Sequence, residues 1–103
     1  FNGVQARPII EAYRQIVEKA HAAGITVYGS PITPMSEDNP VRNAVNTSIR
    51  NDRYFDAVID FDAAIRDAAE PHNIAPEYDR DGLHPNVAGY EAMGRSVDLS
   101  LFR

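Results

Sequence analysis

Asp81 and His84 stand three residues apart in the stretch "DGLHPN", and Pro85 stiffens the backbone directly after the histidine. A carboxylate and an imidazole at that separation suit one definite task. A histidine that serves as general base needs its Nδ1–H held by an acceptor, so that Nε2 faces the group to be deprotonated. Asp81, on a tight turn, can reach back to be that acceptor. Asn86 is a good N-cap for the last helix, which would mount His84 on a loop anchored by a helix start. The same residues allow a plainer outcome, in which Asp81 and Asn86 only satisfy turn and cap hydrogen bonds while His84 faces solvent. Local residues alone leave the two open.

Other groupings of polar residues carry less. Glu77, Asp79, Asp81 and Gly82 fall at positions one, three, five and six of an EF-hand-like calcium loop, but position twelve is Ala88 where a bidentate glutamate belongs. Glu18 and His21 repeat the carboxylate–histidine spacing in a solvated helical stretch beside Lys19, and read as surface residues. Asp56, Asp60 and Asp62 surround a strand; paired carboxylates can act on glycosides, but here the expectation is that they cap the next short helix or face solvent. His72, in "EPHN", has no ligand-spaced companion and reads as a surface loop residue. Ser30, Ser36, Ser48, Ser96 and Ser100 lie in no Gly-x-Ser-x-Gly elbow and no Gly-Asp-Ser block, and no glycine loop suited to phosphate is present. A base is visible without its nucleophile.

The elements that must hold this turn follow from periodicity. Ile9, Tyr13, Ile16, Val17 and Ala20 keep helical spacing, so a helix is expected from about Val4 or Pro8 to Ala23, with Gly24 as its stop. "GITVYGS" then reads as a short buried strand. After a loop broken by Pro31 and Pro34, Asn39-Pro40 caps a second helix to about Asn51, with Val41, Ala44, Val45, Ser48 and Ile49 on its apolar stripe. Ala57, Val58 and Ile59 form a second strand, "AAIRDAAEP" a short helix, and "HNIAPEYDRDG" an irregular segment. A final helix from about Asn86 to Phe102 would turn Val87, Tyr90, Met93, Val97 and Leu101 inward. Strand, helix, strand in that order implies a parallel pair with a right-handed crossover, hence a layered α/β fold. Two parallel strands leave two open edges, so further strands, or another chain, are expected to complete the sheet.

Composition narrows the function classes. The 103 residues are 44% hydrophobic, enough for one modest core, and ten basic against fifteen acidic side chains give a net charge of −5 without a basic run, which argues against nucleic acid as partner. No apolar stretch approaches the roughly eighteen residues of a membrane span, and "FNGVQARPII" resembles no signal peptide. The chain has no cysteine, so thiol catalysis and thiolate zinc sites are excluded.

Beyond this, "YDRDGLHPNVAGYEAMGRSVDLSLF", residues 78 to 102, resembles the C-terminal block of GDSL-type (SGNH) hydrolases. There an Asp-x-x-His-Pro turn supplies the last two members of a Ser-Asp-His triad and a helix beginning Asn-x-x-Gly-Tyr follows; here the matching positions are Asp81, His84, Pro85, Asn86, Gly89 and Tyr90. "AYRQIVEKAHAAGITVYGSPITPM" is similar to the helix, strand and "TLTP" segment of secreted bacterial members, and "FDAVIDFDAAIRD" to the strand that follows. The resemblance implies a three-layer, flavodoxin-like parallel sheet of which residues 1–103 form the C-terminal portion, two strands and about three main helices. It implies a serine esterase or acylhydrolase acting on a small-molecule ester without cofactor or metal, with His84 as base and Asp81 orienting it. The family's Gly-Asp-Ser block, its oxyanion glycine and its Gly-x-Asn-Asp block have no counterpart here, which places them upstream of Phe1. The alternative is a non-catalytic fragment that folds by strand-edge pairing with a second copy or with a complementing N-terminal segment. Only the resemblance bears on compartment, suggesting bacterial secretion.

Overall fold

The computed structural model describes residues 5–103. Helix α1 spans Ala6–Ala22; Val4, the earlier of the two expected starts, lies outside the described residues. Pro8 sits in the first turn, where a backbone N–H has no intrahelical partner to lose. Val17 is buried and Tyr13 half-buried, but Ile16 remains mostly exposed, contrary to the expected stripe. Gly24 follows the helix at φ 75°.

Strand β1 is Tyr28–Gly29 and strand β2 is Ala57–Val58, paired in parallel with Tyr28 opposite Ala57 and Gly29 opposite Val58. Both are shorter than the apolar runs that contain them. At the start of the ladder the Val27 N–H donates to the Asp56 carboxylate at 2.7 Å, so Ile25 and Thr26 stay outside the sheet and Ile25 is exposed. Just past its end the Ile59 N–H still reaches the Gly29 carbonyl at 2.8 Å.

Between the strands, helix α2 spans Pro40–Asn51, as Asn39-Pro40 predicted: the Asn39 side chain accepts from the Val41 and Arg42 N–H groups. Its inward face is not the purely apolar stripe. Val45, Ser48 and Ile49 are buried as expected, whereas Ala44 is exposed and Arg42 and Asn46 are buried in its place. α1 packs against α2, and Arg14 lies 4.9 Å from the centre of the Tyr54 ring just beyond α2.

Helix α3 spans Phe61–Ile65, starting and ending earlier than expected. Asp60 caps it by accepting the Ala63 N–H at 2.9 Å. It ends because Arg66 turns extended and bridges Ile74 antiparallel, while the Ala75 N–H donates to the Ile65 carbonyl. The residues read as a helical tail form a loop closed on itself. A 3-10 turn, Pro76–Tyr78, leads to the "DGLHPN" stretch.

Helix α4 spans Val87–Arg95, capped by Asn86, and does not run on to Phe102. The Ser96 hydroxyl donates to the Met93 carbonyl, and Asp98 caps a separate 3-10 turn, Leu99–Phe102. That turn docks on β1: the Tyr28 hydroxyl donates to the Leu101 carbonyl at 2.5 Å and the Tyr28 and Phe102 rings meet edge to face. Val87 and Tyr90, expected inside, are 76% and 57% exposed; the side of α4 that packs inward carries Gly89. A Cβ there would come within 2.7 Å of the Tyr78 carbonyl and 2.8 Å of Pro85.

Candidate active site

Residues 79–86 form a turn closed at its base. Asp79 bridges Pro85 antiparallel, the Arg80 N–H donates to the His84 carbonyl at 3.0 Å, and the Asn86 N–H donates to the Tyr78 carbonyl at 2.8 Å. Gly82 takes φ 87°, the left-handed region glycine enters without penalty, and its N–H meets the Asp79 carboxylate at 2.7 Å. This geometry lets Asp81 fold back over the turn. One carboxylate oxygen accepts the Leu83 and His84 backbone N–H groups at 3.0 and 2.7 Å. The other lies 2.8 Å from His84 Nδ1.

The arrangement fixes charge as well as direction. The Asp81 carboxyl is pulled from its ordinary 3.8 to about 2, first by the His84 backbone N–H, then by the His84 ring and the Leu83 N–H. It is therefore an anion at neutral pH and can only accept. His84 Nδ1 must carry the proton in that contact, which leaves the lone pair of the neutral ring on Nε2. The two side chains are 57% and 46% exposed for His84 and Asp81, and Nε2 has no hydrogen-bond partner among the described residues. The pair can take a proton from a group brought to it from outside.

No serine of the chain serves that role in this structure. Ser30 donates to the Pro31 carbonyl, Ser36 to the Gly82 carbonyl, Ser48 to the Asp52 carboxylate, Ser96 to the Met93 carbonyl and Ser100 to the Asp98 carboxylate. Ser36, read from the sequence as part of a broken loop and as a serine in no nucleophile context, is the one whose hydroxyl meets the Asp81–His84 turn. Nothing within the loop's own sequence signals a contact 46 residues away.

The calcium-like carboxylates Asp79 and Asp81 are engaged by backbone N–H groups of the turn itself. Among the described residues no group of three His, Asp or Glu side chains stands together as metal ligands. Asp60 caps α3 as expected, and although burial pushes its carboxyl up, the Arg50 guanidinium and the Ala63 N–H hold it below its usual value. Asp56 accepts from Val27 and lies 2.8 Å from His21 Nε2, so His21 ties the end of α1 to β2 and is not paired with Glu18. His72 approaches Glu70 at 3.7 Å.

Asp62 corrects the reading as a solvent-facing carboxylate. It is only 2% exposed and accepts from Arg42, from Arg50 at 2.7 Å and from Arg66 at 2.9 Å. Arg42 also donates to the Ile32 and Thr33 carbonyls, and the Asn46 amide both donates to and accepts from the Ile32 backbone. This network fastens the loop after β1 to α2. The polar series Arg42, Asn46, Arg50, four residues apart on one helical face, was the legible signal for it.

Against known proteins, the profile of the GDSL-like Lipase/Acylhydrolase family matches residues 1–92, a span that includes Asp81 and His84. The chain belongs to the GDSL-like lipase/acylhydrolase family. Its α/β fold is shared with a GDSL-like lipase from Bacteroides thetaiotaomicron, known from a crystal structure, at a TM-score of 0.77 and 16% sequence identity. That likeness covers 97% of this chain and 54% of the lipase, so the GDSL-like chain spans about half of that relative's length. No curated protein matches it. Among the described residues no helix of this GDSL-like chain is long and apolar enough to cross a membrane.

Proposed function

We propose that this chain supplies the acid–base part of a serine carboxylic-ester hydrolase, with His84 as general base and Asp81 as its orienting partner. The observation that carries the reading is the 2.8 Å approach of Asp81 to His84 Nδ1, which leaves Nε2 unoccupied. A serine and oxyanion donors on a segment outside these residues complete the site. The serine Oγ adds to the ester carbonyl while His84 Nε2 takes its proton, and Asp81 stabilises the imidazolium. His84 then returns the proton to the departing alcohol oxygen as the tetrahedral adduct collapses to the acyl-enzyme. Water repeats the sequence, His84 taking a proton from water and returning it to the serine, and a carboxylic acid is released.

The first test is intact-mass analysis of the 103-residue chain after a fluorophosphonate that labels activated serines. No adduct on the folded chain is expected, since every serine hydroxyl is engaged elsewhere. A stoichiometric adduct would show that the nucleophile is one of the five serines. In a form that carries the serine-bearing segment, His84→Ala should remove nearly all ester turnover, and near-normal turnover would take His84 out of the site.

A second reading rests on the sheet. Each strand is two residues long and has one edge unpaired among the described residues, while Ile16, Ile25 and Phe102 are exposed. We infer from this a non-catalytic piece that pairs with a second copy or a complementing segment. Sedimentation separates the two: a concentration-independent monomer with a sharp thermal transition counts against obligatory pairing.

A further inference from the structure

Ser36 holds φ 62°, a left-handed backbone conformation that L side chains keep only where their surroundings over-determine it. Two hydrogen bonds do so here. The Ser36 N–H donates to the His72 carbonyl at 3.0 Å, and the Ser36 hydroxyl donates to the Gly82 carbonyl. The loop that presents Ser36 is rigid upstream. Pro31 and Pro34 are buried, and Ile32 and Thr33 are fastened by Arg42 and Asn46. From the opposite side Gly82 is fitted to the serine, since a Cβ on it would stand 2.9 Å from Ser36 Oγ.

The turn that Ser36 meets closes on itself: the Gly82 N–H donates to the Asp79 carboxylate, and the Leu83 and His84 N–H groups donate to Asp81. Asp81, Leu83 and His84 are all exposed, so packing does not orient them, and the hydrogen bonds within residues 79–85 shape the turn without tying its tip to the rest of the fold. Asp81 locks the imidazole to the turn, and the turn must in turn be locked to the body. Among the described residues, the Ser36 hydroxyl is the one hydrogen bond from the loop after β1 to residues 79–86. We propose that Ser36 is a positioning residue, whose hydroxyl holds the Asp81–His84 turn in the direction from which Nε2 is offered to a nucleophile. This rests on the reading of His84 as base.

The test separates the hydroxyl from the backbone strain. Ser36→Gly accepts φ 62° freely and lacks the hydroxyl, whereas Ser36→Asn tolerates that φ and carries an amide N–H that can reach the Gly82 carbonyl. In the 103-residue chain, NMR order parameters for the amides of residues 82–84 are expected to fall from about 0.85 to below about 0.6 in Ser36→Gly, with loss of the His84 Nδ1–H resonance, and to recover in Ser36→Asn. Wild-type order and an intact Nδ1–H signal in Ser36→Gly would overturn the proposal. In a form that turns over ester, Ser36→Gly should lower kcat roughly ten-fold at unchanged KM, a change that an orientation loss of this kind produces. Unchanged kcat would overturn it too, as would a fluorophosphonate adduct on Ser36. Because the NMR readout needs no turnover, failure of His84 as base, seen in His84→Ala, is distinguishable from failure of Ser36.

Discussion

A side chain of four heavy atoms beyond the backbone sets the protonation pattern of the site. The Asp81 carboxylate gathers two backbone N–H groups and one imidazole N–H, and its acidity shifts accordingly to about 2. Because the folded value lies below the ordinary 3.8, the stabilisation from this ionisation is complete above about pH 4 and is lost as pH falls through about 2. A carbon-detected NMR titration should find the Asp81 carboxyl ionised at pH 3, and a midpoint near 4 would mean that the turn does not hold in solution. Asp81→Asn removes the obligatory acceptor. Its amide can donate to Nδ1 and so favour the tautomer with the proton on Nε2. Imidazole 15N shifts should report that tautomer, and ester turnover in a form with the serine-bearing segment should fall by roughly 10³–10⁴-fold.

At the scale of elements, the site is mounted by caps and close contacts rather than by a thick sheet. Asn39, Asp60, Asn86 and Asp98 each accept from backbone N–H groups at the start of a helix or 3-10 turn. Such side chains satisfy donors that the helix itself cannot. The contact that seats the Asp81–His84 turn against α4 is at Gly89, packed on the Tyr78 carbonyl and Pro85. Gly89→Ala would gain helix propensity, but its methyl group falls inside van der Waals contact of backbone. Denaturant unfolding should therefore show a loss of about 1–3 kcal/mol, and a neutral or stabilised variant would mean that α4 does not lie this close to Tyr78.

For the molecule as a whole, the apolar core of Val17, Val45, Ile49, Ile65, Ile74 and Ala75 is small, and a buried ionic cluster sits among the elements around it. Asp62 joins α3 to Arg42 and Arg50 of α2 and to Arg66, and through Arg42 reaches the loop that carries Ser36. Removing the anion leaves Arg42 buried without its counter-charge, which costs far more than an exposed pair would. Asp62→Ala is expected to lose about 3–5 kcal/mol in equilibrium unfolding. A loss below about 1 kcal/mol would mean that water or a rearranged side chain replaces the carboxylate.

What the sequence determined by itself was whatever is settled within a few residues. Asn39-Pro40 started α2 where expected and Asp81-x-x-His84 on a glycine turn brought carboxylate and imidazole together, because each of these closes locally. The family resemblance was legible for the same reason, in contiguous blocks. The order strand, helix, strand made the distant pair parallel for a different reason, since a crossover helix returns the chain to the same end of the sheet. Tertiary structure decided which face of α2 turns inward, admitting Arg42 and Asn46 because Asp62 and the Ile32 backbone satisfy them. It also ended the last helix at Arg95 to dock Leu101 and Phe102 on Tyr28, and set Ser36 against Gly82. Those outcomes depend on partners 14 to 73 residues away, and a polar side chain does not carry in its own neighbourhood the identity of the distant group that will satisfy it.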